Sequence, residues 1–189
     1  MKIVFLGDSL TEGYGLSEQN CAWVNIISKE MKCEIINEGI SGDTTLGMLS
    51  RLINIIEKYS PKYVFIMGGT NDLNFNMPNN FIFANINSIT RILKKYNVEA
   101  IIGIPTKMIG DGKTIEGDYL KELINQYSIN LREFLENDGL SYIDFFKLSQ
   151  DFGDSDYLDD GLHPNEKGHK KMADYFLKNL EAVIGEYNK

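Results

Sequence analysis

The sequence predicts an α/β fold: a three-layer α/β/α, flavodoxin-like arrangement around a five-stranded parallel sheet of order 2-1-3-4-5. Two observations predict it. The apolar run at residues 3–6 is unbroken rather than alternating, as in a strand covered on both faces, and residues 63–67 and 100–104 read as further strands. Between them, longer segments carry apolar residues at every third or fourth position, so strand and helix alternate, the pattern of a parallel sheet with right-handed crossovers. No repeat, low-complexity tract or linker intervenes, and one domain spanning residues 1–189 is expected.

The first strand, residues 3–6, stops at Gly7 and hands Asp8 and Ser9 to the sheet's carboxyl edge, where open α/β sheets bind ligands. Trp23, Ile26, Ile27 and Met31 mark one face of a helix over residues 22–32. A second strand follows at residues 33–37, then a loop with Gly39 and Gly42. Thr44 or Thr45 caps a helix striped by Leu46, Leu49, Leu52, Ile53 and Ile56, which runs to about Tyr59 before Ser60-Pro61. The third strand, residues 63–67, ends at Gly68-Gly69 and leads to Thr70-Asn71-Asp72. Ile82, Ile86, Ile89 and Leu93 stripe a helix over residues 78–96. The fourth strand is residues 100–104, and residues 105–118 form the longest irregular loop. A helix from Leu120 closes at Asn137-Asp138-Gly139. The fifth strand is residues 142–145, and the last helix begins near Asn165.

Composition narrows the function. The 189 residues carry a formal net charge of -8 and no basic run, which disfavours nucleic acid or a stable association with anionic membrane. The amino terminus offers too few apolar residues before Gly7-Asp8 for a secretory segment, so a cytoplasmic protein is expected. Cys21 and Cys33 are too few for a disulfide scaffold and have no neighbours for a zinc set. No metal or cofactor is implied, and the sequence does not specify an oligomeric state.

Only two histidines exist, so imidazole chemistry must use one of them. His169 lies among Lys167, Lys170 and Lys171 and reads as a solvated surface residue. His163 precedes Pro164 and has Asp160 three residues before it, an offset that lets the carboxylate meet Nδ1 and leaves Nε2 free to accept a proton. Asp160, not Asp159, is the expected partner. With Ser9 as nucleophile these are the parts of a catalytic triad. The Gly42 NH and the Asn71 carboxamide, also at strand ends, are candidate donors to an oxyanion.

These stretches resemble the SGNH hydrolases, also called GDSL esterases and lipases. The likeness spans nearly the whole chain and rests on Gly7-Asp8-Ser9-Leu10, Gly39-Ile40-Ser41-Gly42-Asp43-Thr44, Gly68-Gly69-Thr70-Asn71-Asp72 and Asp160-Gly161-Leu162-His163-Pro164, in family order. It implies Ser9 as nucleophile, an oxyanion hole from the Ser9 NH, Gly42 and Asn71, and Asp160 with His163 completing the triad. Trp23 and Ile36-Asn37-Glu38 look like the arylesterase, lysophospholipase and thioesterase I branch. A small-molecule ester or thioester is the implied substrate.

Other readings fit less well. Gly112-Lys113-Thr114 resembles the end of a P-loop, but Lys107 stands where that motif needs glycine. The calcium-loop pattern begun by Asp154 and Asp156 fails at Leu158, Asp159 and Asn165. An α/β-hydrolase needs a Gly-x-Ser-x-Gly elbow, absent here. The rival from another class is a receiver-like signalling or silent binding module of the same fold, with Asp8, Asp72 and Lys147 as a phosphoacceptor pocket. It leaves His163, Gly42 and Asn71 without a role. For substrate, the loop at residues 106–118 is the expected variable wall, with Met108 and Ile109 its only adjacent apolar pair and three glycines to let it move. So little apolar surface predicts short-acyl esters, acetyl to about butyryl.

Overall fold

A computed structural model describes residues 1–185; the end of the expected domain, residues 186–189, lies outside the described residues. The elements in chain order are β1 (Lys2–Gly7), α1 (Ser9–Glu12), α2 (Trp23–Glu30), β2 (Glu34–Gly39), α3 (Thr45–Tyr59), β3 (Tyr63–Met67), α4 (Thr70–Asn74), α5 (Asn79–Lys95), β4 (Glu99–Ile104), α6 (Leu120–Asn137), β5 (Tyr142–Asp144), α7 (Phe145–Ser149) and α8 (Glu166–Ile184). The sheet is five-stranded and parallel, in the order β2-β1-β3-β4-β5. Gly7 pairs in register with Gly39 on one side and Met67 on the other, so the chain leaves β1, β2 and β3 at one level.

Both faces of the sheet are covered because alternate residues of each strand point opposite ways. Val4, Leu6, Val64 and Ile66 pack against the apolar stripes of α3, α5 and α6. Ile3, Phe5, Phe65 and Met67 meet Trp23 and Ile27 of α2 and Met172 and Phe176 of α8. The second layer has an aromatic centre: Trp23 lies edge-on to Phe5, Phe65 and Phe145, with ring centroids 5.1 to 5.5 Å apart. Among the described residues no helix is long and apolar enough to cross a membrane.

The expected elements are present, with shifted ends. β2 runs on to Gly39 because Glu38 and Gly39 continue the ladder opposite Leu6 and Gly7. Phe145, expected in the fifth strand, instead opens α7, because the Asp144 carboxylate accepts the Lys147 NH at 2.8 Å and caps a helix there. Thr44, not Thr45, caps α3, accepting the Gly47 NH at 3.2 Å.

His169 requires a correction. It is 1% exposed, and its Nδ1 accepts the Trp23 NH at 3.2 Å. Ala22 supplies no side-chain cap to α2, so the histidine satisfies one of the orphan donors at that helix start. Burial depresses its pKa to about 4. The flanking lysines take the solvent side, Lys171 pairing with Asp156 at 2.8 Å and Lys170 with Asp174.

Candidate active site

The site begins with the exit from β1. A Cβ on Gly7 would run into the Thr11 hydroxyl and the Met67 carbonyl, so only glycine lets the chain turn this tightly. Asp8 then caps α1, its Oδ1 accepting the Leu10 NH at 2.9 Å, and Ser9 becomes the first helical residue. Asp8 is fully buried. Desolvation, reinforced by the neighbouring Asp72 and Asp43 carboxylates, raises its pKa to about 7 against the lowering pull of the Leu10 NH.

Ser9, His163 and Asp160 meet although 154 residues separate the first two. His163 Nε2 lies 2.9 Å from Ser9 Oγ, and Nδ1 lies 2.6 Å from Asp160 Oδ2. The other carboxylate oxygen accepts the NH groups of Leu162 and His163, both at 2.9 Å. Asp160 thus folds its own turn with one oxygen and holds the imidazole with the other. Its partial burial would raise its pKa, but the His163 NH and ring and the Leu162 NH outweigh this and hold it below the usual carboxylate range. The result is an anion facing Nδ1.

Gly42 has a positive φ of 81°, and no atom stands within 4 Å of where a Cβ would be. Glycine is required there by backbone conformation, not by space. Among the described residues no acceptor takes its NH. The Asn71 Nδ2 donates to the carbonyl of Asp43, the next residue after Gly42, at 2.8 Å. That bond orients the carboxamide and leaves its second N–H free. Asp72 fixes the same two loops from below, its carboxylate accepting the Thr45 NH at 2.9 Å and the Thr45 hydroxyl at 2.6 Å.

Sequence reasoning missed Arg51. Its guanidinium donates to Asp43 Oδ2 at 2.9 Å, to the Glu38 carbonyl at 2.8 Å and to the Gly7 carbonyl at 3.2 Å, joining the ends of β1 and β2 to the loop that carries Gly42. The available clue was that Arg51 is the single charge between Thr45 and Ile56, eight residues beyond Asp43. Tyr14 was also missed; its ring lies 4.6 Å from that of His163.

The expected wall at residues 106–118 is built differently. Met108 is only 7% exposed and packs into the core beside α5 and α6, and Ile109 is partly buried. Two of the three glycines serve close packing, not movement: a Cβ on Gly110 would strike the Asp160 carbonyl, and one on Gly112 would strike the Met108 methyl. The Ile109 and Gly110 NH groups both donate to the Gly161 carbonyl, at 2.8 and 3.3 Å. The loop therefore supports the turn that bears Asp160 and His163.

A phosphoacceptor pocket does not assemble. Asp8 is buried, Asp72 is committed to Thr45, and Lys147 lines a separate groove with Arg132, Asp144 and Tyr175.

A sequence profile described as the GDSL-like Lipase/Acylhydrolase family matches residues 5–171. The chain is 24% identical over 188 residues to the thioesterase 1/protease 1/lysophospholipase L1 of Escherichia coli (strain K12), covering 96% of this chain and 84% of that protein. It is also 24% identical over 187 residues to an arylesterase of Vibrio mimicus, covering 95% of this chain and 88% of the relative. Among solved structures, the lipase/acylhydrolase from Enterococcus faecalis superposes with a TM-score of 0.80 at 24% identity, covering 100% of this chain and 99% of that one. A lipolytic G-D-S-L family protein from Veillonella parvula DSM 2008 gives a TM-score of 0.79 at 24% identity, covering 94% and 97%.

Proposed function

The chain belongs to the GDSL-like lipase/acylhydrolase family, and from that premise we propose that it hydrolyses carboxylic esters or thioesters through an acyl-enzyme on Ser9. His163 Nε2 removes the Ser9 proton as Oγ attacks the carbonyl carbon. The negative oxygen of the tetrahedral intermediate is met by the NH groups of Ser9 and Gly42 and the free N–H of Asn71, donors fixed before substrate arrives. His163 then protonates the leaving oxygen or sulfur, and the acyl group remains on Ser9. Water, deprotonated by the same imidazole, attacks the acyl carbon; Oγ recovers its proton, and the acid departs. Asp160 holds the ring in one tautomer and stabilises its cationic form.

The observation that carries this reading is the paired contact of His163, 2.9 Å from Ser9 Oγ and 2.6 Å from Asp160. For the acyl side, the buried Met108 and the tethered loop support small, soluble, short-acyl esters, since each buried CH₂ of a longer chain would need apolar wall worth about 0.8 kcal/mol. A reading for longer chains draws on Phe75, Met77 and Ile115, exposed side chains beyond Asn71, where the Ile115 NH meets the Asn74 carbonyl at 3.1 Å. Treatment with an organophosphonate, followed by mapping of the adduct, should label Ser9, and Ser9→Ala should abolish turnover of p-nitrophenyl esters. Labelling elsewhere, or an active alanine variant, rejects the mechanism. With the native protein, kcat/KM should peak between acetyl and butyryl; a steady rise to long chains favours the second reading.

A further inference from the structure

Resting on that acyl-enzyme reading, we propose that Tyr14 forms a leaving-group subsite, an aromatic wall selecting esters whose departing alcohol is flat and aromatic. His163 must hand its proton to the departing oxygen, so the leaving group lies on the imidazole side of Ser9, away from the donors of Gly42 and Asn71. Tyr14 stands against that imidazole. Its ring centroid is 4.6 Å from that of His163, with the planes inclined by 46°.

The chain holds this ring at the rim rather than in the core. Tyr14 is 50% exposed, and its hydroxyl has no hydrogen-bond partner among the described residues. Its backbone NH donates to the carbonyl of Ser9 itself at 3.1 Å, so the nucleophile and the ring share one short turn. Gly13 and Gly15 flank it with φ of 92° and 76°, and side chains on them would strike Ala22 and Leu158 respectively. Two left-handed glycines pressed against neighbours on both sides therefore fix where the tyrosine stands. Half its surface remains free for an aromatic leaving group, which prefers offset or edge-to-face contact with such a ring.

The two chemical steps separate this role from that of a prop for His163. The leaving group is present only in acylation, where Ser9 Oγ bonds to the acyl carbon as the carbon–oxygen bond to the alcohol breaks. Deacylation of the acetyl-enzyme uses the same imidazole after the alcohol has gone. The test compares phenyl acetate with hexafluoroisopropyl acetate, an aliphatic ester whose alcohol is of similar acidity. Tyr14→Ala should lower kcat/KM for phenyl acetate by roughly tenfold and for the aliphatic ester by less than about threefold. The single-turnover deacylation rate should stay within about twofold of native, and Tyr14→Phe should restore the preference. An equal loss on both esters, a matching fall in deacylation, or no change in the ratio overturns the subsite while leaving the acyl-enzyme intact. If instead the native protein forms no acetyl-Ser9 from either ester, the acyl-enzyme reading fails first.

Discussion

At the scale of single residues, the candidate site is built from groups whose polar atoms are divided between a structural bond and the proposed chemistry. Asp160 gives one oxygen to its own turn and the other to His163, whereas the Asp159 side chain has no hydrogen bond among the described residues. Asn71 is divided in the same way, one N–H held by the Asp43 carbonyl and one free. Because an oxyanion exists only in the transition state, Asn71→Ala should lower kcat by roughly 10²- to 10³-fold and leave KM nearly unchanged. The thermal midpoint should fall little, since a single half-buried hydrogen bond contributes about 1 kcal/mol. A loss confined to KM in steady-state kinetics would instead place Asn71 in ground-state binding.

At the scale of elements, the loop at residues 106–118 and the turn at residues 158–163 act as one unit. The Tyr157 hydroxyl donates to the Lys107 carbonyl at 2.7 Å, and the Lys107 NH donates to Ser149 Oγ at 2.8 Å. A Cβ on Gly161 would strike the Gly110 backbone, and one on Gly110 would strike the Asp160 carbonyl. Gly110→Ala should therefore push the Asp160 carbonyl and shift His163, lowering kcat by roughly 10- to 100-fold with a smaller change in KM. Overpacking should also cost about 1–3 kcal/mol in urea unfolding. Gly117→Ala is the control: φ is 96° but the space is open, so stability should fall by about 1 kcal/mol while kcat holds. Equal kinetic losses in the two variants would mean that the Gly110 contact does not position the turn.

At the scale of the whole molecule, two buried groups make stability respond to pH in opposite senses. His169 titrates near 4 when folded against 6.5 ordinarily, so the unfolded chain binds the extra proton between those values and acidification destabilises the fold. Asp8 titrates near 7 when folded against 3.8, so the folded chain binds the extra proton between those values and acidification stabilises it. Burial raises the pKa of Asp72 too, adding to the Asp8 side. Each of the first two effects is on the order of 3 kcal/mol at its limit. From pH 6.5 down to 4, Asp8→Asn should lose more stability than the native protein, and His169→Gln should lose less or gain. Urea midpoints measured across that window check both signs, and parallel curves for all three proteins would remove the account.

What the sequence determined by itself was local. The unbroken run of β1, the strands β3 and β4, the apolar stripes of α3, α5 and α6, and the glycines at strand ends are written in neighbouring residues, and short-range sterics and periodicity suffice to read them. Alternation with right-handed crossovers left few topologies, of which the order 2-1-3-4-5 was the leading one, and the sheet has that order. Ser9, Asp160 and His163 were legible as a candidate triad because only two histidines exist and these three residues sit beside a strand end or turn. The tertiary structure alone decided what depends on partners distant in sequence. His169 is buried because Trp23, 146 residues away, presents an unsatisfied NH to it; no pattern of neighbouring lysines carries that information. Met108 faces the core because Gly110 and Gly161 pull the loop inward. Arg51 and Tyr14 gain their places only when the ends of β1 and β2 and the turn at His163 are brought together. Side-chain periodicity encodes which face of an element is apolar, but which polar group meets which is set when the elements pack.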